Sequence, residues 1–239
     1  MFSRTLMKQT IKSNLSLLLI MTVLQGGMVA LISALGQNVE ATGIMFYRML
    51  PSVFSAIYVI ITGNKLIAAQ IDKGTMAYVL STSISRLKVA VTQAIFFLGS
   101  IFTMFFVSAG AHALVAKLTL ETFTSNDLNM IINLNLGSFA LALAFSGICL
   151  LGSCIFNLSK NATAFGGGIV GGFILIFFLP LFSKELRMFD NFTIVSLFDI
   201  DSITRGTSDY LWKVFVLIGI GIVTYVAGIR VFTKKDLPL

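Results

Sequence analysis

Six long apolar segments limit what this chain can fold into more than any other feature of the sequence. They cover residues 14–35, 47–63, 88–115, 134–157, 162–182 and 211–232, and each contains few or no charged residues. A helix rises about 1.5 Å per residue, so about 20 apolar residues cross the hydrocarbon core of a bilayer. The runs are continuous rather than alternating, which argues against transmembrane strands, and backbone groups in lipid must pair within a helix. The sequence therefore predicts an all-α, polytopic membrane protein with six transmembrane helices.

The low content of charged residues supports this prediction. Charged residues make up 11% of the chain and hydrophobic residues 56%, whereas soluble domains carry about 25% charged residues. The first apolar segment is longer than the core of a signal peptide, so we expect it to remain in the protein. Cys149 and Cys154 lie inside the fourth segment, and their spacing predicts neither a disulfide nor a metal site.

The basic residues indicate how the segments are oriented, because cytoplasmic loops carry an excess of lysine and arginine. If the N-terminus is cytoplasmic, eleven of the 17 basic residues and two of the ten acidic residues lie on the cytoplasmic side. We therefore expect both termini in the cytoplasm. The net charge of +7 follows largely from this asymmetry and requires no nucleic acid partner.

Two connections have apolar residues that a solvated loop does not need. Residues 1–13 place Phe2, Leu6, Met7 and Ile11 on one side of a helix and Arg4, Lys8 and Lys12 on another. This pattern predicts an interfacial helix lying on the membrane, or else an ordinary basic flank of the first segment. In residues 183–210, charged and apolar side chains are interspersed. Short helices dipping back towards the membrane would explain that segment, and so would a surface that binds a partner.

Residues 64–88 form the longest connection on the predicted cytoplasmic side. Apolar side chains recur there at helical spacing, and Gly74-Thr75 interrupts them, so we expect a helix–turn–helix. Ser83 or Ser85 can cap the third transmembrane helix. An amphipathic hairpin in this place is suited to docking into a groove of a partner protein, although a plain surface loop would share the pattern.

The stretch from Gln70 to Arg86 resembles the loop after the second span of type-2 ABC transporter permeases. That family commonly shows an acidic residue, then Gly-Thr, an apolar helical turn and a Ser/Thr–Pro–Ile–Ser–Arg-like run. The matching residues here are Asp72, Gly74, Thr75, Val79, Leu80, Ser81, Thr82, Ile84, Ser85 and Arg86. Ser83 stands in place of the usual proline, and Gln70 in place of an acidic residue often seen earlier, so the match is weaker at both positions. The six-span layout and the basic tail Lys234-Lys235-Asp236 are also similar to the family.

The resemblance implies a permease subunit of an ATP-driven exporter in a bacterial plasma membrane. Two permeases, either two copies of this chain or this chain with a related one, would pair, and two separate ATPase subunits would bind ATP and Mg²⁺. This chain contains no phosphate-binding Gly-rich motif ending in lysine, so we expect it not to be an enzyme. The residues implied in ATPase coupling are Ile71, Asp72, Gly74, Thr75, Met76, Val79, Leu80, Ile84 and Arg86, with Asp72 and Arg86 making polar contacts and the apolar side chains forming a docking face.

The same resemblance implies that the second and fifth spans line the route for the cargo. Ser55 and Tyr58 in the second span and Gly167 and Gly171 in the fifth are the candidates. Close packing between membrane helices is the more ordinary interpretation of the glycine-rich run that contains Gly167 and Gly171.

Other functions remain open from the sequence. A secondary transporter or channel would normally place ionisable groups deep in the bilayer, and His112 is the main one found here. A hydrogen-bonded packing role is the more ordinary interpretation of that histidine. A non-transporting membrane anchor or sensor for an ATPase would share residues 64–88. The apolar spans favour a hydrophobic or amphipathic cargo such as a peptide, a lipid-like molecule or a drug.

Overall fold

The fold, taken from a computed structural model, is a bundle of helices. The structure describes residues 2–36, 38–82, 84–181 and 193–236. The helices are α1 (Arg4–Leu35), α2 (Val39–Tyr47), α3 (Leu50–Leu66), α4 (Ala68–Asp72), α5 (Thr75–Leu80), α6 (Arg86–Thr119), α7 (Ser125–Ile155), α8 (Ser159–Phe178), α9 (Ile200–Thr204) and α10 (Tyr210–Lys234). These described ranges contain no strand, and six helical stretches within them are long and apolar enough to cross a membrane. The predictions of an all-α chain and of six such helices are confirmed.

α7 is the central helix of the bundle. It packs against α10, α3, α8 and α6, and 78% of its most apolar stretch is buried, compared with 17% for α8. Glycine allows α10 to approach α7 closely, because a Cβ atom built on Gly221 would lie 2.7 Å from Cγ of Leu143. α8 therefore lies at the edge of the bundle, with most of its residues partly or fully exposed to lipid or to another protein.

The first and last described residues of the chain lie at one end of the bundle with residues 64–88, and we call it the terminal end. The guanidinium of Arg86 donates a hydrogen bond to the backbone carbonyl of Lys235, with 2.6 Å between the atoms. The ammonium of Lys235 in turn donates to the carbonyl of Ile155 at the end of α7. The starts of α6 and α8 and the ends of α7 and α10 thus lie at the same end of the bundle as residues 64–88, as an even number of crossings requires.

The start of the chain differs from the sequence prediction of a separate interfacial helix over residues 1–13. α1 continues from Arg4 to Leu35 without a break, and Ser3 caps it. No glycine or proline interrupts the helix near Ser13, and side-chain bonds hold its first turns against α6. Thr10 donates to the side-chain oxygen of Gln93 at 3.2 Å. α1 is about 48 Å long, so its first turns extend beyond a hydrocarbon core of about 30 Å.

The second and fourth crossings are longer than the apolar segments suggest. The second comprises α2 and α3 with a turn at residues 48–49, and Pro51 occupies the first turn of α3. Proline is tolerated at that position because its missing N–H would have no partner there. α7 begins at Ser125, where Thr124 and Asp127 form a reciprocal capping box. The second crossing starts at α2, where the side-chain oxygen of Asn38 accepts a hydrogen bond from the backbone N–H of Ala41. Capping residues, rather than hydrophobicity, therefore set the starts of both crossings.

Residues 193–210 form a compact corner at the opposite end of the bundle. A 3-10 turn (Ile194–Leu197) and α9 carry apolar side chains that are buried on the bundle, including Phe198 and Ile203. The predicted segment 183–210 therefore contains short helices in its described part, and residues 182–192 lie outside the described residues. Burial alone would raise the pKa of Asp199 in this corner, but hydrogen bonds from Lys213 and Ser202 outweigh it and leave the pKa below its ordinary value.

Candidate functional site

Residues 64–88 fold into two short helices joined by a tight turn at the terminal end. α4 ends at Asp72, and α5 begins at Thr75. Gly74 lies between them with φ of 71°, in the left-handed region that glycine occupies at least cost. The turn falls where the sequence predicts the interruption. Ser85 caps α6 by accepting a hydrogen bond from the backbone N–H of Lys88, which confirms one of the two predicted caps.

The inner side of this segment is part of the core of the bundle. Leu66, Ile67 and Met76 are fully buried, and Ile71 is nearly so. The hydroxyl of Ser153 in α7 accepts a hydrogen bond from the first backbone N–H of α4, at 2.8 Å. The segment is therefore anchored to the membrane helices by apolar burial and by a buried polar contact.

This burial changes the docking face that the sequence suggested. Ile71 and Met76 point into the chain's own core, and Val79, Leu80 and Ile84 are half-buried against it. The helical spacing of apolar residues cannot show which side of the segment faces the bundle, because the buried side depends on the position of α7. The residues of the turn, of α5 and just after it that remain exposed are Lys73, Gly74, Thr75, Tyr78, Ser81 and Thr82. The Tyr78 side chain is the most prominent of these, at 79% exposure.

Asp72 connects the segment to α8. The residue preceding α8 is Leu158, which has no side-chain acceptor for the first N–H groups of the helix. A carboxylate oxygen of Asp72 accepts a hydrogen bond from the backbone N–H of Ser159, at 3.1 Å. Asn64 donates to the Ser159 hydroxyl at 2.7 Å. Asp72 thus caps α8 from a distant part of the chain, where its negative charge also favours the helix N-terminus.

Arg86 connects the segment to α10 and α7. Arg86 donates a hydrogen bond to the carbonyl of Lys235, the residue directly after the last residue of α10. Lys235 donates to the carbonyls of Cys154 and Ile155, which lack partners within α7. The two polar residues that the sequence assigned to a partner, Asp72 and Arg86, therefore each have a contact within this chain.

Neither a comparison with models of protein families nor a search among curated proteins found a match to this chain.

The residues suggested to line a pathway fall into two groups. Ser55 and Tyr58 are buried within the chain, and the Tyr58 ring lies against Phe97 of α6 with 6.4 Å between ring centroids. Gly167 is a close-packing position, because a Cβ atom there would lie 3.3 Å from Ile60 of α3. Gly171 has open space beside it. Gly167 and Gly171 are both partly exposed, so the two glycines, unlike Ser55 and Tyr58, are accessible from outside this chain.

His112 lies in a buried polar cluster near the opposite end of the bundle. Its Nδ1 is 3.2 Å from the hydroxyl of Tyr47, to which Asn135 also donates a hydrogen bond. His112 is therefore a hydrogen-bonded packing residue, as its ordinary interpretation predicts. The described residues contain no group of three or more histidine, cysteine or acidic side chains that could hold a metal ion.

The sequence analysis missed three residues of the terminal end. Asn64, Ser153 and Lys235 each contact a residue more than 75 positions away. A polar residue at the last turn of an apolar segment is the only signal that they give, and it does not identify the partner. Tyr78 could have been found, since it is the one aromatic residue in the sequence of residues 64–88.

Proposed function

We propose that this chain is the transmembrane permease subunit of an ATP-driven ABC exporter, coupled through residues 64–88 to a separate ATPase subunit. The observation that carries the proposal is the construction of the α4–α5 segment. Its outer side is exposed, its inner side is buried in the bundle, and Asp72 and Arg86 join it to two further membrane helices. A partner that pushes on α5 would therefore move membrane helices as well as a loop.

Magnitudes indicate which contacts would transmit that movement. Shifting a two-state equilibrium from 1:99 to 99:1 requires about 5.5 kcal/mol of differential binding. One exposed hydrogen-bonded contact such as that of Asp72 contributes about 0.5–1 kcal/mol. Burial of each side chain of the size of Leu66, Ile67 or Met76 contributes about 1.5–3 kcal/mol. The buried side chains would carry the force, and Asp72 and Arg86 would determine which helices follow.

The mechanism is an exchange between two arrangements of the helices. ATP binding draws the two ATPase subunits together and favours the arrangement open to the outside, because ATP binds the assembly better in that state. Hydrolysis in the ATPase subunits restores the arrangement open to the cytoplasm. The chain itself binds no nucleotide in this scheme, and ATP and Mg²⁺ belong to the partner.

A second permease is part of the proposal, and α8 is the surface that suits it best. An added Cβ atom at Gly168, Gly171 or Gly172 would meet no other atom within 4 Å. Small residues allow membrane helices to approach closely, and α8 lies at the edge of the bundle. Gly168→Leu should weaken self-association measured by fluorescence energy transfer in bilayers, whereas Gly99→Leu, at another open position on α6, should leave it unchanged. Equal association of both variants would exclude α8 from the interface.

Orientation and cargo follow from charge and polarity. Basic residues concentrate at the terminal end, which supports the proposal that both termini are cytoplasmic, and the resemblance to the permease family supports a bacterial plasma membrane. Among the described residues, the buried polar side chains of the spans include no lysine, arginine, aspartate or glutamate, which suits a hydrophobic or amphipathic cargo such as a peptide, a lipid-like molecule or a drug.

The proposal is tested by placing a charge on the exposed side of α5. The chain is co-expressed with the ABC ATPase encoded nearest to its gene, and both co-purification and ATP turnover are measured in nanodiscs. Tyr78→Asp should abolish co-purification and return turnover to that of the free ATPase, because the side chain is exposed and its loss leaves the fold intact. Leu118→Asp is the matched control at the opposite end, where the side chain is 84% exposed. Unchanged association of Tyr78→Asp would refute the docking role of α5.

A secondary transporter or a non-transporting anchor would give different results in the same assay. Transport that persists with the ATPase removed would favour a secondary transporter or a channel. Association without stimulation of ATP turnover by any cargo would favour an anchor or sensor.

A further inference from the structure

A cavity of about 660 Å³ lies at the terminal end, between the first turns of α1 and residues 65–84. That volume is in the range of small-molecule binding sites. The cavity is present because α1 does not leave the bundle at Ser13 but continues beyond the apolar part of the chain beside α4 and α5. The cavity therefore lies at the level where the hydrocarbon core gives way to the headgroup region.

The lining of this cavity has a positive charge. Lys65 and Lys73 line it, whereas no aspartate or glutamate does. Asp72, next to Lys73 in the sequence, is bonded to the N-terminus of α8 instead. Neither lysine forms an ion pair with an acidic residue in the described ranges. The arrangement favours an anion.

A buried polar atom in the lining lacks a partner. Asn14 is 3% exposed and lines the cavity, and its side-chain nitrogen donates to the carbonyl of Thr10 and to the hydroxyl of Ser13. Its side-chain oxygen has no hydrogen-bond partner. A buried acceptor without a partner costs about 1–3 kcal/mol, so a ligand hydroxyl that reaches this enclosed oxygen after a rotation of the Asn14 side chain would be stabilised here.

An exposed apolar surface continues from the cavity into the membrane. Ile57 and Ile61 are exposed and lie two turns and one turn before Lys65 on the same face of α3. Ile20 and Leu24 are exposed on the face of α1 that Ser13 shares. A ligand with an anionic head and acyl chains would match both parts of this surface, whereas a soluble phosphate ester would match the cavity alone.

We propose that this cavity binds the headgroup of an anionic phospholipid that carries hydroxyl groups, with its phosphate near Lys65 and Lys73 and its acyl chains along α1 and α3. The headgroup hydroxyl donates to the side-chain oxygen of Asn14. Because α4 and α5 form one wall of the cavity, a bound lipid would hold the α4–α5 segment against α1. The site does not depend on the proposed transport function.

Native mass spectrometry of the purified full chain tests the proposal, with phosphatidylglycerol, phosphatidylcholine and glycerol 3-phosphate as probes. The chain should retain one phosphatidylglycerol in preference to phosphatidylcholine, and an equal concentration of glycerol 3-phosphate should not displace it. Each lysine near a membrane surface strengthens binding of anionic lipid about fivefold, so Lys65→Gln with Lys73→Gln should weaken retention about 25-fold. Lys88→Gln with Lys160→Gln is the matched control, since both lysines are exposed at the same end and neither lines the cavity.

A second variant distinguishes binding inside the cavity from a general effect of the positive charge. Gln9 is exposed and lines the cavity, so Gln9→Trp should fill the space and prevent retention without removing any charge. Equal retention of the two phospholipids would overturn the proposal, as would equal losses in the two double-lysine variants. Displacement by glycerol 3-phosphate would identify a soluble phosphate ester as the ligand instead. Unchanged lipid retention with loss of ATPase binding in the Lys65 and Lys73 variant would assign the cavity to the protein partner.

Discussion

The hydrogen bond between Asp72 and α8 makes a prediction that can be tested at a single backbone amide. Ser159 is the first residue of α8, and the Asp72 carboxylate is the acceptor for its N–H, at 3.1 Å. Asp72→Ala removes this acceptor and leaves the N–H to water. Loss of a capping acceptor costs about 0.5–2 kcal/mol, and the low end applies because the pair is exposed and screened. A loss of about 0.5–1 kcal/mol corresponds to a two- to fivefold faster hydrogen exchange at Ser159.

Site-resolved hydrogen exchange measures this effect, and the same helix supplies an internal reference. The N–H groups of Asn161 and Ala162 both donate to the carbonyl of Leu158, so their exchange should change less. Asp72→Asn retains an acceptor oxygen but not the charge, and its effect should be intermediate. Asp127→Ala removes the capping-box residue of α7 at the opposite end and should leave Ser159 unaffected. Unchanged exchange at Ser159 in Asp72→Ala would refute the hydrogen-bonded connection between the α4–α5 segment and α8.

Three further predictions concern the packing of the bundle, its opposite end and its orientation. Gly221→Leu should lower the free energy of unfolding by about 1–3 kcal/mol, because α10 packs closely on α7 there, and reversible denaturation in micelles measures this loss. Gly219→Leu is the control, since Gly219 is two residues away with open space beside it, and it should be neutral. Equal losses in the two variants would contradict the close packing of α10 on α7. The lowered pKa of Asp199 means that its contribution to stability is complete above the ordinary carboxyl pKa of about 3.9 and is lost as the pH falls through the lower folded value. The protection of the amides in residues 199–204, measured relative to the intrinsic exchange rate at each pH, should therefore stay constant down to about pH 4, and a loss of protection near neutral pH would contradict this account. An impermeant thiol reagent should label Leu118→Cys but not Tyr78→Cys in intact cells. The two native cysteines should not interfere, because both are buried. The reverse labelling would show that the orientation is opposite to the proposed one.

The sequence was sufficient to predict the features that depend on local pattern. Length and apolarity predict six membrane-crossing helices, and the turn at Gly74 follows from the interruption of a helical period. Ser85 is recognisable as a cap because a polar acceptor precedes an apolar run. These features depend on neighbouring residues, which one sequence displays directly.

The features that the sequence could not determine depend on distant contacts. Met76 is buried and Tyr78 is exposed, although both are large apolar residues within one turn of α5. The partner of Asp72 is 87 positions away in the chain. The path of α1 past Ser13 depends on its bonds to α6, and a basic amphipathic pattern is compatible with either a surface helix or a continued one. Tertiary packing decides each of these cases.

The proximity of α5 to an ATPase is the most direct test of the proposed function. A photo-crosslinking amino acid is introduced in place of Tyr78, and in a separate chain in place of Leu118, and each chain is co-expressed with the ABC ATPase encoded nearest to its gene. The account predicts an ATPase adduct from position 78 in the cell membrane and none from position 118. An adduct from position 118, or the absence of one from position 78 while the two proteins still co-purify, would contradict coupling through residues 64–88.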